Sequence, residues 1–248
     1  MKTLTKFAVI AAFSASASLA QAVDLKGLLG AGADLAKAAS LSDADIIAGS
    51  RDMMVQMDEM NPVAPPGSDY AKRLARLTRG LENEDGLKLN FAVYMVDEVN
   101  AFATPDGSVR VFKGLMDMMT DDELRGVIGH EIGHAKLGHS KSQMKSALLM
   151  SAGTKAAGAT NSAVGKAVAA NAETIEAFAN AQFSQKDEIA SDDYGFEFMR
   201  KYKHDPAALA TAFRKLARAG GSGGNSLMAS HPDPASRARR VEERLAKK

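Results

Sequence analysis

The sequence predicts an α+β fold, mostly helical, with one small antiparallel sheet packed beside an HExxH helix and an ExxxD helix. Three observations predict it. Period-two alternation of apolar residues is confined to residues 87–112. Helical spacing with cap signals fills most of the remainder. The two motifs each set polar side chains four residues apart, which a helix brings onto one face.

The N-terminus reads as a targeting segment. Lys2 and Lys6 precede an apolar run from Phe7 to Phe13, and Ala20-Gln21-Ala22 has the A-x-A form of a signal-peptidase site. That run is well short of the roughly 20 residues a membrane span needs. Residues 1–22 are therefore expected to be a cleaved signal peptide, giving a periplasmic chain that starts at Val23 and has no transmembrane span. The mature chain would carry 29 basic against 30 acidic side chains. With a net charge of +1 on the full chain and no basic run, nothing points to a nucleic-acid partner. The absence of cysteine excludes thiol chemistry, disulfides and Cys-based metal sites, and no cysteine follows the apolar run as a lipoprotein would need.

Asp24 to Met60 reads as helical, with Met53, Met54, Met57 and Met60 at core-filling spacing. Residues 61–67, rich in proline, break it, so residues 23–66 form an N-terminal helical segment and linker ahead of a domain at 67–248. Asp69 to Arg79 is a basic helix whose Lys72, Arg73, Arg76 and Arg79 read as a solvated face. Leu87 to Val96 is the clearest strand. Two shorter ones, Asn100–Thr104 and Ser108–Phe112, are joined by the turn Pro105-Asp106-Gly107.

Thr120 and Glu123 then form a capping box, with Asp121 and Asp122 adding negative charge at the helix start. Leu124, Val127, Ile128 and Ile132 continue the helical spacing. Gly126, Gly129 and Gly133 oppose it, each at a cost of about 1 kcal/mol relative to alanine. Three such residues make sense if another backbone packs very close. This helix carries His130-Glu131-Ile132-Gly133-His134. Its two imidazoles can reach one zinc ion, and Glu131 can take the proton of a water in the remaining position.

Residues 147–181 are rich in small side chains and read as a mobile helical pair over the cleft or a loosely packed insertion. Gln185 to Tyr202 is a further strong helix, Asp205-Pro206 starts another, and Asp233-Pro234 starts the last. Gly220 to Gly224 reads as a flexible loop upstream of His231-Pro232.

The histidine pair needs a third ligand. HExxHxxGxxH would want glycine at 137 and histidine at 140, where the chain has Leu137 and Ser140. His139 reads as a packing or surface residue near the helix end, and His204 as a helix-start neighbour. The other source is Glu188-Ile189-Ala190-Ser191-Asp192, whose acids share one helix face. Glu188 can bind zinc while Asp192 accepts a hydrogen bond from the free nitrogen of a ligating histidine.

These motifs, with Phe112-Lys113-Gly114-Leu115, His231-Pro232 and Arg237, resemble the HtpX/CAAX-prenyl-protease type of gluzincin, above all its small periplasmic and outer-membrane members. The resemblance implies a zincin-like fold and a zinc metallopeptidase domain holding one Zn2+ on His130, His134 and Glu188. Glu131 would be the catalytic base, Asp192 a proton donor or support to the metal ligands, and His231 a transition-state group aided by Arg237. The implied activity is zinc-dependent hydrolysis of peptide bonds in misfolded or unassembled envelope proteins. Unfolded or damaged envelope proteins would be its substrates, and the outer-membrane assembly machinery a further partner. A free sheet edge can hold such a substrate as an added strand. His231 has two alternative expectations, a donor to the substrate oxygen or a fourth ligand that closes the site. The alternative function is a zinc-stabilised periplasmic chaperone that binds unfolded outer-membrane proteins without cutting them.

Overall fold

Caps written in the sequence set where the helices begin. The computed structural model describes residues 40–158, 172–219 and 226–247. The expected signal peptide at 1–22, the first part (24–39) of the expected Asp24–Met60 helix, the stretch 159–171 and the Gly220–Gly224 loop lie outside these residues. In chain order the elements are α1 (Asp43–Met60), α2 (Asp69–Leu77), β1 (Asn90–Tyr94), β2 (Ala101–Ala103), β3 (Ser108–Phe112), α3 (Lys113–Met118), α4 (Asp121–Lys136), α5 (His139–Gly158), α6 (Ala172–Asn180), α7 (Gln185–Lys201), α8 (Ala207–Ala219), α9 (Ser226–Ser230) and α10 (Pro234–Ala246). Reciprocal capping boxes open α1 at Ser42, α4 at Thr120 and α7 at Ser184. The fold is mostly helical with one small sheet, as the sequence predicts.

The sheet itself is mixed, not antiparallel throughout. Its order is β1-β3-β2, with β2 antiparallel and β1 parallel to β3. The β2–β3 hairpin forms at the expected turn. Residues 95–100, however, carry the chain past one strand position, and β3 inserts between its predecessors. All five residues of β3 are buried. At the turn, Gly107 has φ +89°, and a Cβ there would stand 2.0 Å from the Lys88 carbonyl oxygen, so only glycine fits.

Alternation along β3 splits the interior in two. Val109 and Val111 face the larger core with Leu124, Ile128 and Phe213. Phe112, with Tyr94 of β1, faces a second cluster built from α1, α5 and α6, where Met53, Met54 and Met57 are buried. α1 is also tied by charge. Asp58 receives Arg110 Nε at 2.9 Å and Nη2 at 2.9 Å, and the Tyr94 hydroxyl at 2.7 Å.

Arg73 of α2 departs from the expected solvated face, while Arg76 stays exposed. Arg73 donates to Asp121 and to the carbonyls of Met116 and Met119, while Arg76 also reaches Asp121. They secure the end of α3 against the start of α4.

α4 is the central helix, with every residue from Gly126 to His134 buried. Gly126 and Gly133 meet the close backbones they call for, those of α8 and α7, whereas Gly129 lies against the Phe198 side chain. A Cβ at Gly126 would lie 3.3 Å from Leu209, and one at Gly133 would lie 3.2 Å from Ser191 Cα. Reciprocally, a Cβ at Gly195 of α7 would meet the His130 nitrogen at 3.2 Å. This closeness presents α7's acids to α4's histidines.

Candidate metal centre

One helical turn separates His130 from His134, and their Nε2 atoms stand 3.0 Å apart. From α7, Glu188 Oε1 lies 3.4 Å from His134 Nε2, and Oε2 lies 3.7 Å from His130 Nε2. His231, between α9 and α10, brings Nδ1 to 3.3 Å from His130 Nε2 and 2.9 Å from Glu188 Oε1. These four buried side chains offer donor atoms that all lie within 4.8 Å of one another. Tetrahedral zinc with arms near 2.0–2.1 Å needs ligand atoms about 3.3 Å apart. The residues therefore fit a divalent ion.

Glu131 stands beside this set. Its Oε1 is 3.7 Å from His231 Nε2 and has no hydrogen-bond partner although it is buried. An unpartnered buried carboxylate oxygen calls for a ligand or a water. Burial pushes the Glu131 carboxyl above its ordinary range, against the pull of His231 and His130. Burial also holds His134 well below the usual histidine range, in the neutral form a metal needs. At Glu188 burial opposes ionisation, but His231, His134 and His130 outweigh it and keep the carboxyl well below its ordinary value.

The acids of α7 are braced from below. Asp192 Oδ1 is 3.0 Å from His130 Nδ1, and the same carboxylate receives Arg237 Nε at 2.9 Å and Nη2 at 2.5 Å. Since Asp192 only accepts when ionised, this contact favours the His130 tautomer with its proton on Nδ1 and Nε2 bare. Burial raises Asp192, yet Arg237 and His130 hold it below the usual carboxylate range. Arg237 Nη1 is 2.5 Å from Glu188 Oε2 as an ion pair, without the alignment of a hydrogen bond. The guanidinium stacks 4.1 Å above the Phe213 ring. Arg237 thus reaches the two acids of α7, whereas the sequence reading set it behind His231.

A cavity of about 280 Å³ opens on the site. Its lining includes Ala101, Phe102 and Ala103 of β2, Phe178 and Phe183, and Glu131 and His231 of the site itself. Among the described residues no helix is long and apolar enough to cross a membrane.

Sequence reasoning missed two residues. Phe183 lies tilted against His134 with ring centroids 3.8 Å apart, and its N–H donates to the Ser230 carbonyl at 3.1 Å. No spacing marks it; it only precedes the Ser184 cap. His139 is not a bystander at a helix end, because its Nδ1 lies 3.2 Å from His134 Nδ1. The available signal was Leu137-Gly138, where α4 stops and Gly138, at φ +79°, turns the chain back. His204 stays on the surface, 3.9 Å from Asp122.

Residues 70–245 match peptidase family M48. The chain is 41% identical over 228 residues to metalloprotease LoiP of Escherichia coli (strain K12), covering 91% of this chain and 90% of that protein. It is 36% identical over 247 residues to metalloprotease YcaL of the same strain, covering 99% and 97%. A shorter likeness, 33% over 81 residues, joins it to protease HtpX of Stutzerimonas stutzeri (strain A1501), covering 31% of this chain and 28% of that protein.

Proposed function

The chain belongs to peptidase family M48 and is a metalloprotease by that descent; from this premise we propose a zinc-dependent metalloendopeptidase of the cell envelope that cuts misfolded or unassembled proteins. One observation carries the reading. Four buried donors converge, and Glu131 beside them keeps a carboxylate oxygen with no partner. A purely structural zinc site has no use for that carboxylate.

His130, His134 and Glu188 would hold the ion, which supplies Lewis acidity and makes hydroxide available near neutral pH. Glu131 is the general base. Its raised affinity for protons suits a group that takes one from water and returns it to the departing amine. Asp192 keeps His130 in the tautomer that offers Nε2. The open edge of β2 would bind substrate as an added strand, laying its backbone along the cavity. Such a strand must be extended, which favours unfolded chains over folded ones. Phe102, Phe178 and Phe183 give the cavity aromatic walls suited to apolar side chains.

His231 gives the second reading its support. With Nδ1 among the donors, it would complete a closed four-ligand site, the form that structural zinc takes. In a protease this is a resting state that substrate opens; in a chaperone it would be permanent. Periplasmic localisation and action on outer-membrane assembly intermediates belong to this same proposal.

The test is to incubate purified, zinc-loaded protein with an unfolded envelope protein and with its folded form. Internal cleavage of the unfolded form alone, stopped by a zinc chelator, supports the protease. Suppressed aggregation without any cleavage supports the chaperone instead.

A further inference from the structure

A histidine that binds metal through Nε2 must carry its proton on Nδ1, and a buried N–H needs an acceptor. For His130 that acceptor is Asp192. For His134 the structure supplies a different one. His139, the first residue of α5, places Nδ1 3.2 Å from His134 Nδ1 and 3.1 Å from the Ser191 hydroxyl oxygen. Its other nitrogen, Nε2, lies 3.4 Å from Asp187 Oδ1.

Asp187 accepts only, so at 3.4 Å it favours the His139 tautomer with the proton on Nε2. That leaves His139 Nδ1 with a single lone pair, which the His134 N–H can occupy or share with the Ser191 O–H. One turn and a half of α7 therefore carries Asp187, Glu188, Ser191 and Asp192, and each serves a histidine of the centre. The two metal-facing imidazoles differ in support: a buried carboxylate for His130, and for His134 the His139 imidazole, whose other nitrogen lies 3.4 Å from the Asp187 carboxylate.

We propose that His139 is a positioning residue of the metal centre, accepting the Nδ1–H of His134 and fixing both its tautomer and its ring direction. The proposal rests on the reading that His134 binds the metal through Nε2. It adds a third histidine that the HExxH pattern does not contain, brought back to the site by the Gly138 turn.

Three substitutions separate this role from packing. The amide oxygen of His139→Asn can occupy the place of Nδ1 and still accept. His139→Gln keeps more volume but puts its polar end where Nε2 was. His139→Ala removes both. Zinc affinity is measured on each purified protein by competition with a chromophoric chelator, with circular dichroism as the control for folding. His139→Ala and His139→Gln should bind zinc about 10–100-fold more weakly, the usual loss for a group behind a metal ligand. His139→Asn should stay within about threefold of wild type on the same scale. In imidazole-detected NMR of the zinc-loaded protein, the His134 Nδ1–H resonance should persist in wild type and His139→Asn, and exchange away in His139→Ala. Unchanged zinc affinity in His139→Ala overturns the proposal, as does retention by His139→Gln with loss in His139→Asn. Equal loss in all three would also overturn it and assign His139 to packing. Failure of wild type to bind zinc at all would instead remove the reading beneath it.

Discussion

Gly133→Ala probes the contact on which the site's geometry depends. The new Cβ would stand 3.1 Å from Tyr194 Cβ and 3.2 Å from Ser191 Cα. It falls about 0.3 Å short of ordinary van der Waals separation, and one of the obstructing atoms is backbone. Relief therefore moves α7 itself, and Glu188 and Asp192 move with it. Alanine brings about 1 kcal/mol of helix propensity, against about 1–3 kcal/mol for overpacking, so the net stability loss is about 0–2 kcal/mol. Function should suffer more than stability. A misplacement of about 1 Å costs on the order of 100-fold in rate, and a few tenths of an ångström roughly 3–10-fold. Thermal unfolding, chelator competition and casein turnover measured in parallel give the three numbers. The contrasting substitution is Gly129→Ala, whose Cβ would meet the Phe198 side chain first, at 2.6 Å from Cδ1. It should lose stability while sparing zinc affinity. If Gly133→Ala gains its full propensity benefit and keeps wild-type zinc affinity and turnover, the close-packing argument is wrong.

Asp192→Asn should weaken zinc binding or activity by roughly 10–100-fold, because His130 loses the carboxylate that fixes its tautomer; unchanged affinity in a chelator titration would refute that role. Asp58→Ala should cost about 2 kcal/mol, less than a fully buried pair because Asp58 keeps some solvent contact while Arg110 is left buried without its partner. Burial opposes ionisation of Asp58, yet Arg110 and Tyr94 hold its pKa lowered in the folded state. Its contribution is thus present above the unfolded value near 3.9 and fades as pH falls through the folded value, so the gap in Tm between wild type and variant should close below about pH 4. His231→Ala distinguishes three cases in a zinc and turnover assay. Lost activity with zinc retained makes it a donor, raised activity on unfolded substrate makes it a plug, and no change makes it a bystander.

What the sequence made legible was local or periodic. Thr120 caps its helix through bonds three residues long, so its signal needs no knowledge of the fold, and the same local boxes at Ser42 and Ser184 went unread. His130 and His134 share a face by helical geometry alone, and Gly126, Gly129 and Gly133 announced a close neighbour without identifying it. Glu188 and Asp192 became readable only because the histidine pair needed a third ligand. The illegible parts depend on chain reversals and distant contacts. β3 entering between β1 and β2 is decided by the path of residues 95–100. Arg73 reads as solvated until Asp121 and the Met116 and Met119 carbonyls arrive from 43 to 48 residues away. His139 lies five positions past His134, off its helical face, and reaches it only through the positive φ of Gly138.

The central claim is that Glu131 performs chemistry at a zinc site it does not help to build. Glu131→Gln therefore tests it most directly, with zinc per chain and casein degradation measured on wild type and variant side by side. The account predicts one zinc per chain in both proteins and a casein rate lower by about 10²–10⁴ in the variant, the usual cost of removing a general base. Full casein cleavage by pure Glu131→Gln protein would contradict it.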